Sequence, residues 1–86
     1  MKINKGVSLP SGVVSRLKQA EMDLAANHIP IGFQRFPGTR RHASIKLGPR
    51  HRAIVTLETS PWRITHVMTH EDYNNTVDRM RRTGEL

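Results

Sequence analysis

The spacing of apolar and polar positions changes along the chain, and each change marks an element. Val13, Leu17, Ala20 and Leu24 recur at i, i+4, i+7 and i+11, with Arg16, Lys18, Gln19 and Asp23 largely off that line. This is one face of an amphipathic helix. Pro10 and Ser11 open it, and it ends near Asn27, because Pro30 disfavours helical backbone at Ile29. Residues 2–7 ahead of it have the length of a short first strand. Residues 31–40 read as a connection, with Pro37-Gly38 as turn chemistry. From residue 42 the period falls to two. Ala43, Ile45 and Leu47 alternate with His42, Ser44 and Lys46, and Ala53, Val55 and Leu57 alternate with Arg52, Ile54, Thr56 and Glu58. Gly48-Pro49 turns the chain between them, which predicts a hairpin. With the apolar rows on the core, Lys46 and Arg52 both leave its open face.

Thr59-Ser60-Pro61 interrupts the pattern, and residues 62–68 read as a further strand. Thr69 is a good N-cap, with Asp72 three residues on and Glu71 and Asp72 at the favourable end of the helix dipole. Tyr73, Val77 and Met80 form the stripe of this second helix, Arg79, Arg81 and Arg82 suit its C-terminal end, and Gly84 ends it. The order β-α-β-β-β-α predicts an α+β fold, a small antiparallel sheet packed on helices. The 86 residues suffice for one domain over 1–86 and one modest core.

Charge narrows the partners. Lys and Arg number 14 against 7 acids. No acid falls between Asp23 and Glu58, a gap that holds Arg35, Arg40, Arg41, Lys46, Arg50 and Arg52, with His28, His42 and His51. A one-signed stretch repels itself unless a polyanion neutralises it. Nucleic acid is the commonest such partner. An anionic membrane fits less well, because the cations do not lie along an amphipathic helix. The chain has no cysteine, which removes disulfides and thiolate metal sites. No apolar run reaches the ~18–20 residues of a membrane span, and the first residues lack the apolar core of a signal peptide. The expected location is the cytoplasm. His66 and His70 are spaced as zinc ligands on a helix would be, but the expected helix starts between them and no third ligand is evident, so no metal and no cofactor are expected.

Three stretches together resemble the RelE/ParE toxin superfamily. FPGTRRHASIKL, residues 36–47, is similar to that family's lead into its sheet, which ends in Ile-Lys/Arg-Leu. RHRAIVTLE, residues 50–58, is similar to its strand with an arginine before two aliphatic residues. THEDYNN, residues 69–75, resembles the Ser/Thr-His-x-x-Tyr at the end of the last strand in many RelE-like members. The order and spacing agree over roughly residues 1–82. The resemblance implies the toxin of a type II toxin–antitoxin system: an endoribonuclease that cleaves mRNA, usually on the ribosome and its rRNA, and is blocked by a cognate antitoxin. The alternative is a non-enzymatic binder of the same fold, either a gyrase poison like the ParE-like members or a phage- or plasmid-borne protein that sequesters a host factor, and fold alone does not choose between these. A double-stranded-RNA-binding fold of the HicA-like kind, with His42 as its histidine, shares the helix–sheet–helix order but leaves the Thr69–Tyr73 match unexplained.

Metal-free RNA cleavage uses the neighbouring 2′-hydroxyl as nucleophile. It needs a base for that hydroxyl, an acid for the leaving 5′-oxygen and fixed cations at the phosphate. Arg52 matches the family arginine, and its fork suits a phosphate; the plain alternative is a surface arginine paired with Glu58. Lys46 matches the family lysine, or is simply a solvated strand residue. Two residues earlier, where many ribonuclease members carry another lysine, this chain has Ser44. His70 is the candidate acid or base, against an ordinary first-turn histidine. Tyr73, three residues on, is placed to stack on a base or relay a proton, against packing with Val77 and Met80. Arg35, Arg40, Arg41, His42, Arg50 and His51 complete the expected RNA-contacting set. Trp62, the one tryptophan, fits a core or antitoxin-contact anchor better than a base-stacking role.

Overall fold

The computed structural model describes residues 2–3, 8–36 and 40–84. Its elements run β1 (Lys2–Ile3), α1 (Ser11–Ala25), β2 (Phe33–Arg35), β3 (His42–Gly48), β4 (His51–Thr56), β5 (Arg63–Thr69) and α2 (His70–Thr83). Of the expected first strand, residues 4–7 lie outside the described residues, as does the Pro37-Gly38 turn. The sheet order is β1-β5-β4-β3-β2. Strands β2 to β5 pair antiparallel, and β1 joins β5 in parallel.

The two helices cover opposite faces of this sheet. Val13, Leu17, Ala20 and Leu24, the four residues of the sequence stripe, are all buried against Ala43, Ile45, Leu47, Ala53, Val55, Ile64 and Val67. On the other face α2 lays Met80 and the half-buried Tyr73 and Val77 over Phe36, Ile54 and Met68. The result is a three-layer α+β domain, and the α+β expectation holds.

Local chemistry sets the boundaries. Pro10 precedes the first turn of α1, and Asn27 takes the left-handed conformation just past its end. The Thr69 hydroxyl accepts from the Asp72 N–H at 3.2 Å and caps α2, while Gly84 closes it at φ +74°.

Two expectations needed correction. Residues 31–40 are not all connection, because Phe33–Arg35 pairs with Ala43–Ile45 as a fifth strand. The Lys46 and Arg52 face is also not wholly open. The second helix shields it, so Ile54, which alternation placed there, is fully buried. Two register shifts also interrupt the ladders. Ile54 pairs with His66 and Val55 with Ile64, leaving Thr65 as the extra residue of a bulge. Lys46 pairs with Arg52 and Gly48 with His51, leaving Leu47 extra beside the hairpin turn.

Candidate functional site

Residues paired across a ladder share a face of the sheet, so the register sorts the expected site residues. Lys46 stands directly opposite Arg52, and Arg52 opposite Met68, on the α2 side. Like charges in that position cost a few tenths of a kcal/mol or more. The chain relieves part of the cost by turning the Arg52 guanidinium toward the hairpin end, where Nη1 donates to the carbonyls of Gly48 at 2.8 Å and His51 at 2.9 Å. Among the described residues no carboxylate pairs with it, so the alternative of an Arg52–Glu58 pair does not hold. Lys46 is exposed beside it. The two cations thus stand side by side on the α2 side of the sheet, next to the hairpin turn.

That end collects more of the set. The backbone N–H of His70, the first residue of α2, donates to the Arg50 carbonyl at 2.8 Å. His51 pairs with Thr69. Arg50, His51, Thr69, His70 and Glu71 line an open depression of about 570 Å³ with Ser8, Pro10 and Pro49. The His51 ring follows the parity of Ala53 and Val55 and leaves the sheet on the α1 side, and its Nε2 lies 2.8 Å from the Ser8 carbonyl. Lys46, Arg50, His51, Arg52 and His70 therefore surround one end of the β3–β4 hairpin, with Glu71 as the acid beside them.

Tyr73 stands apart from the depression. Its hydroxyl donates to Ser44 Oγ at 3.1 Å, and Ser44 Oγ donates on to the Gln34 carbonyl at 3.4 Å. Its ring tilts against Phe36 at 5.6 Å and lies 5.9 Å from the Arg52 guanidinium, within cation–π range. The sequence placed Tyr73 and His70 on one helical face. In the fold Tyr73 lies over the middle of the sheet, while His70, one turn earlier, lies at its end. Packing with Val77, the plainer reading of Tyr73, is what the structure displays.

The remaining cations lie elsewhere. Arg40, Arg41 and His42 sit at the opposite end of β3, roughly 20 Å away for a seven-residue strand. Burial lowers the His42 pKa from its ordinary 6.5, Glu58 raises it again, and Arg41 lowers it. Its Nδ1 is buried without a hydrogen-bond partner among the described residues. Arg35 is on the α1 face. There its guanidinium lies 5.4 Å from the Trp62 ring and 6.0 Å from that of Phe33, and these two rings stack on each other at 5.5 Å. Trp62 is half-buried at the edge of the α1-side core. His66 is on β5, with Nδ1 2.9 Å from Thr65 Oγ1, so it and His70 do not share a helix. Among the described residues no group of three or more His, Asp or Glu is placed to hold a metal, and no helix is long and apolar enough to cross a membrane.

Sequence reasoning missed two features. The burial of Ser44, 3% exposed, gave no signal, because alternation placed it on an open face. The nearness of His51 to His70 depends on the β4–β5 register, which no local signal in the sequence fixes.

No curated protein and no solved structure gives a significant match to the chain. A family model, described as the ParE-like toxin domain, matches residues 13–75, from the first turn of α1 through the sheet into α2. That span includes the whole α1-side core, most of the α2-side core, the Lys46–Arg52 pair and the hairpin end. On this match over most of its length, the chain belongs to the ParE-like toxin family.

Proposed function

We propose that the protein is the toxin of a type II toxin–antitoxin pair and an endoribonuclease that cuts mRNA on the ribosome, without metal, by attack of the 2′-hydroxyl. One observation carries this reading: Lys46 faces Arg52 across the ladder, and Arg50, His51 and His70 gather at the same end of the sheet. Two guanidinium groups and an ammonium suit a phosphate that gains charge in the transition state. Imidazoles beside them suit proton transfer near neutral pH. Arg40, Arg41 and His42, about 20 Å along β3, lie where a bound strand of RNA would continue. An antitoxin that neutralises this face is the expected protein partner. Met22, Ile29 and Ile31, large apolar residues left exposed, offer such a partner apolar contact.

A second reading is a gyrase poison of the same fold that catalyses nothing. Ser44, standing where many ribonuclease relatives carry a lysine, favours it, as does the engagement of the Tyr73 hydroxyl with that serine. Induction of the protein under tight control, with mRNA integrity and plasmid supercoiling followed in the same culture, separates the two. New mRNA ends with normal supercoiling support the ribonuclease. Intact mRNA with altered supercoiling supports the poison.

A further inference from the structure

Of the two histidines at the hairpin end, one is held in a definite tautomer. The Ser8 carbonyl has no proton to give, so the 2.8 Å contact requires His51 Nε2–H to donate to it. The other ring nitrogen, Nδ1, then carries the lone pair. The carbonyl acceptor on the N–H fixes the tautomer, so Nδ1 is the nitrogen left to accept a proton. His70 lines the same depression from the first position of α2 and is exposed. Arg50 and Glu71 also line it, and Arg52 is bonded to the His51 carbonyl. Among the described residues, His70, Arg50 and Glu71 are the charged or titratable groups that line the depression with His51, while the Arg52 side chain leaves the opposite face of the sheet.

Resting on the ribonuclease reading, we infer that His51 and His70 form an acid–base pair across this depression, with His51 as the base and His70 as the acid. His51 Nδ1 removes the proton from the 2′-hydroxyl. The 2′-oxygen attacks the adjacent phosphorus, the bond from phosphorus to the 5′-oxygen breaks, and the protonated His70 supplies that oxygen with its proton. The products are a 2′,3′-cyclic phosphate and a 5′-hydroxyl, and no oxidant, metal or further reactant is consumed. Arg50, which lines the same depression, holds the phosphate oxygens. This assigns the removal of the 2′-hydroxyl proton to a residue on β4 that the sequence marked only as an RNA contact, and it leaves Tyr73 outside the chemistry, consistent with its hydroxyl being spent on Ser44.

The test is single-turnover cleavage of a defined message on programmed ribosomes, followed against pH. His51→Gln is the informative variant, because the glutamine amide reaches the Ser8 carbonyl as Nε2–H does but cannot take a proton. Unchanged urea midpoints establish that the variants are folded. The wild type is expected to give a bell-shaped profile and a cyclic-phosphate end. His51→Gln is expected to lose about 10²–10⁴-fold in rate together with the acidic limb, and His70→Gln to lose a similar factor together with the alkaline limb. If the wild type cuts and folded His51→Gln cuts as fast with both limbs intact, the inference is overturned and the ribonuclease reading stands. A wild type that leaves the message whole overturns both.

Discussion

The hydroxyl of Tyr73 on α2 donates to the buried Oγ of Ser44 on β3 across 3.1 Å, and this bond ties the second helix to the middle of the sheet. Ser44 in turn donates to the Gln34 carbonyl on the edge strand, so one serine links α2, β3 and β2. Ser44 therefore has a packing role here.

Tyr73→Phe keeps the ring contact with Phe36 and removes the bond to Ser44. It is expected to lower stability by about 0.5–1.5 kcal/mol. Urea unfolding measures this, and growth arrest on induction should weaken less than with His70→Ala. A variant as stable as the wild type would show that the bond contributes nothing.

Ser44→Lys places a charge at a position 3% exposed beneath Tyr73. A buried ammonium without a partner is costly. The variant is expected to lose at least about 2 kcal/mol by urea unfolding, rather than to gain activity. A stable and more active Ser44→Lys would mean that α2 yields readily to make room.

Gly32 lies at φ +85°, and a Cβ there would stand 3.0 Å from the Lys46 carbonyl oxygen and 3.2 Å from its nitrogen. The chain cannot simply move aside, because Lys46 N–H donates to the Gly32 carbonyl at 3.1 Å. Gly32→Ala is expected to cost roughly 1–3 kcal/mol and to disturb the backbone that carries Lys46. Urea unfolding and mapping of mRNA ends read the two effects separately.

The sign of the His42 effect is fixed by its lowered pKa. Burial is the main cause, Glu58 opposes it, and Arg41 adds to it. Between the folded value and 6.5 the unfolded chain binds more protons than the folded one. Stability from this group is full above 6.5 and is lost as pH falls through that value toward the folded pKa. Urea midpoints of wild type and His42→Gln, compared from about pH 5 to 8, should draw together as the medium becomes acidic. Parallel curves would contradict this.

Much of the fold was legible because local chemistry and periodicity agreed. The stripe Val13, Leu17, Ala20 and Leu24 gave α1, alternation gave β3 and β4, and Thr69 and Gly84 marked the ends of α2. The Lys46–Arg52 juxtaposition was legible too, since a tight hairpin sets its own register. What escaped depends on distant parts of the chain. Three residues, Phe33–Arg35, are too few to show a period, and they become a strand only by pairing with β3. Ile54 and Ser44 looked half-exposed because nothing local says that α2 returns over that face. His51 meets His70 through the β4–β5 register, while the bulge at Thr65 shifts that register within the same pair of strands. Arg35 belonged to a basic run in sequence, yet strand parity sends it to the Trp62 side of the sheet.

RNA cleavage at the hairpin end is read by mapping mRNA 5′ ends by primer extension. Wild type, Arg52→Ala and His70→Ala are induced to equal levels in cells, and the ends of several abundant messages are compared. New cuts within coding sequence are expected for the wild type and are expected to be lost in both variants. Growth arrest by the wild type with no new ends, or identical cuts in all three proteins, would rule out cleavage at this site.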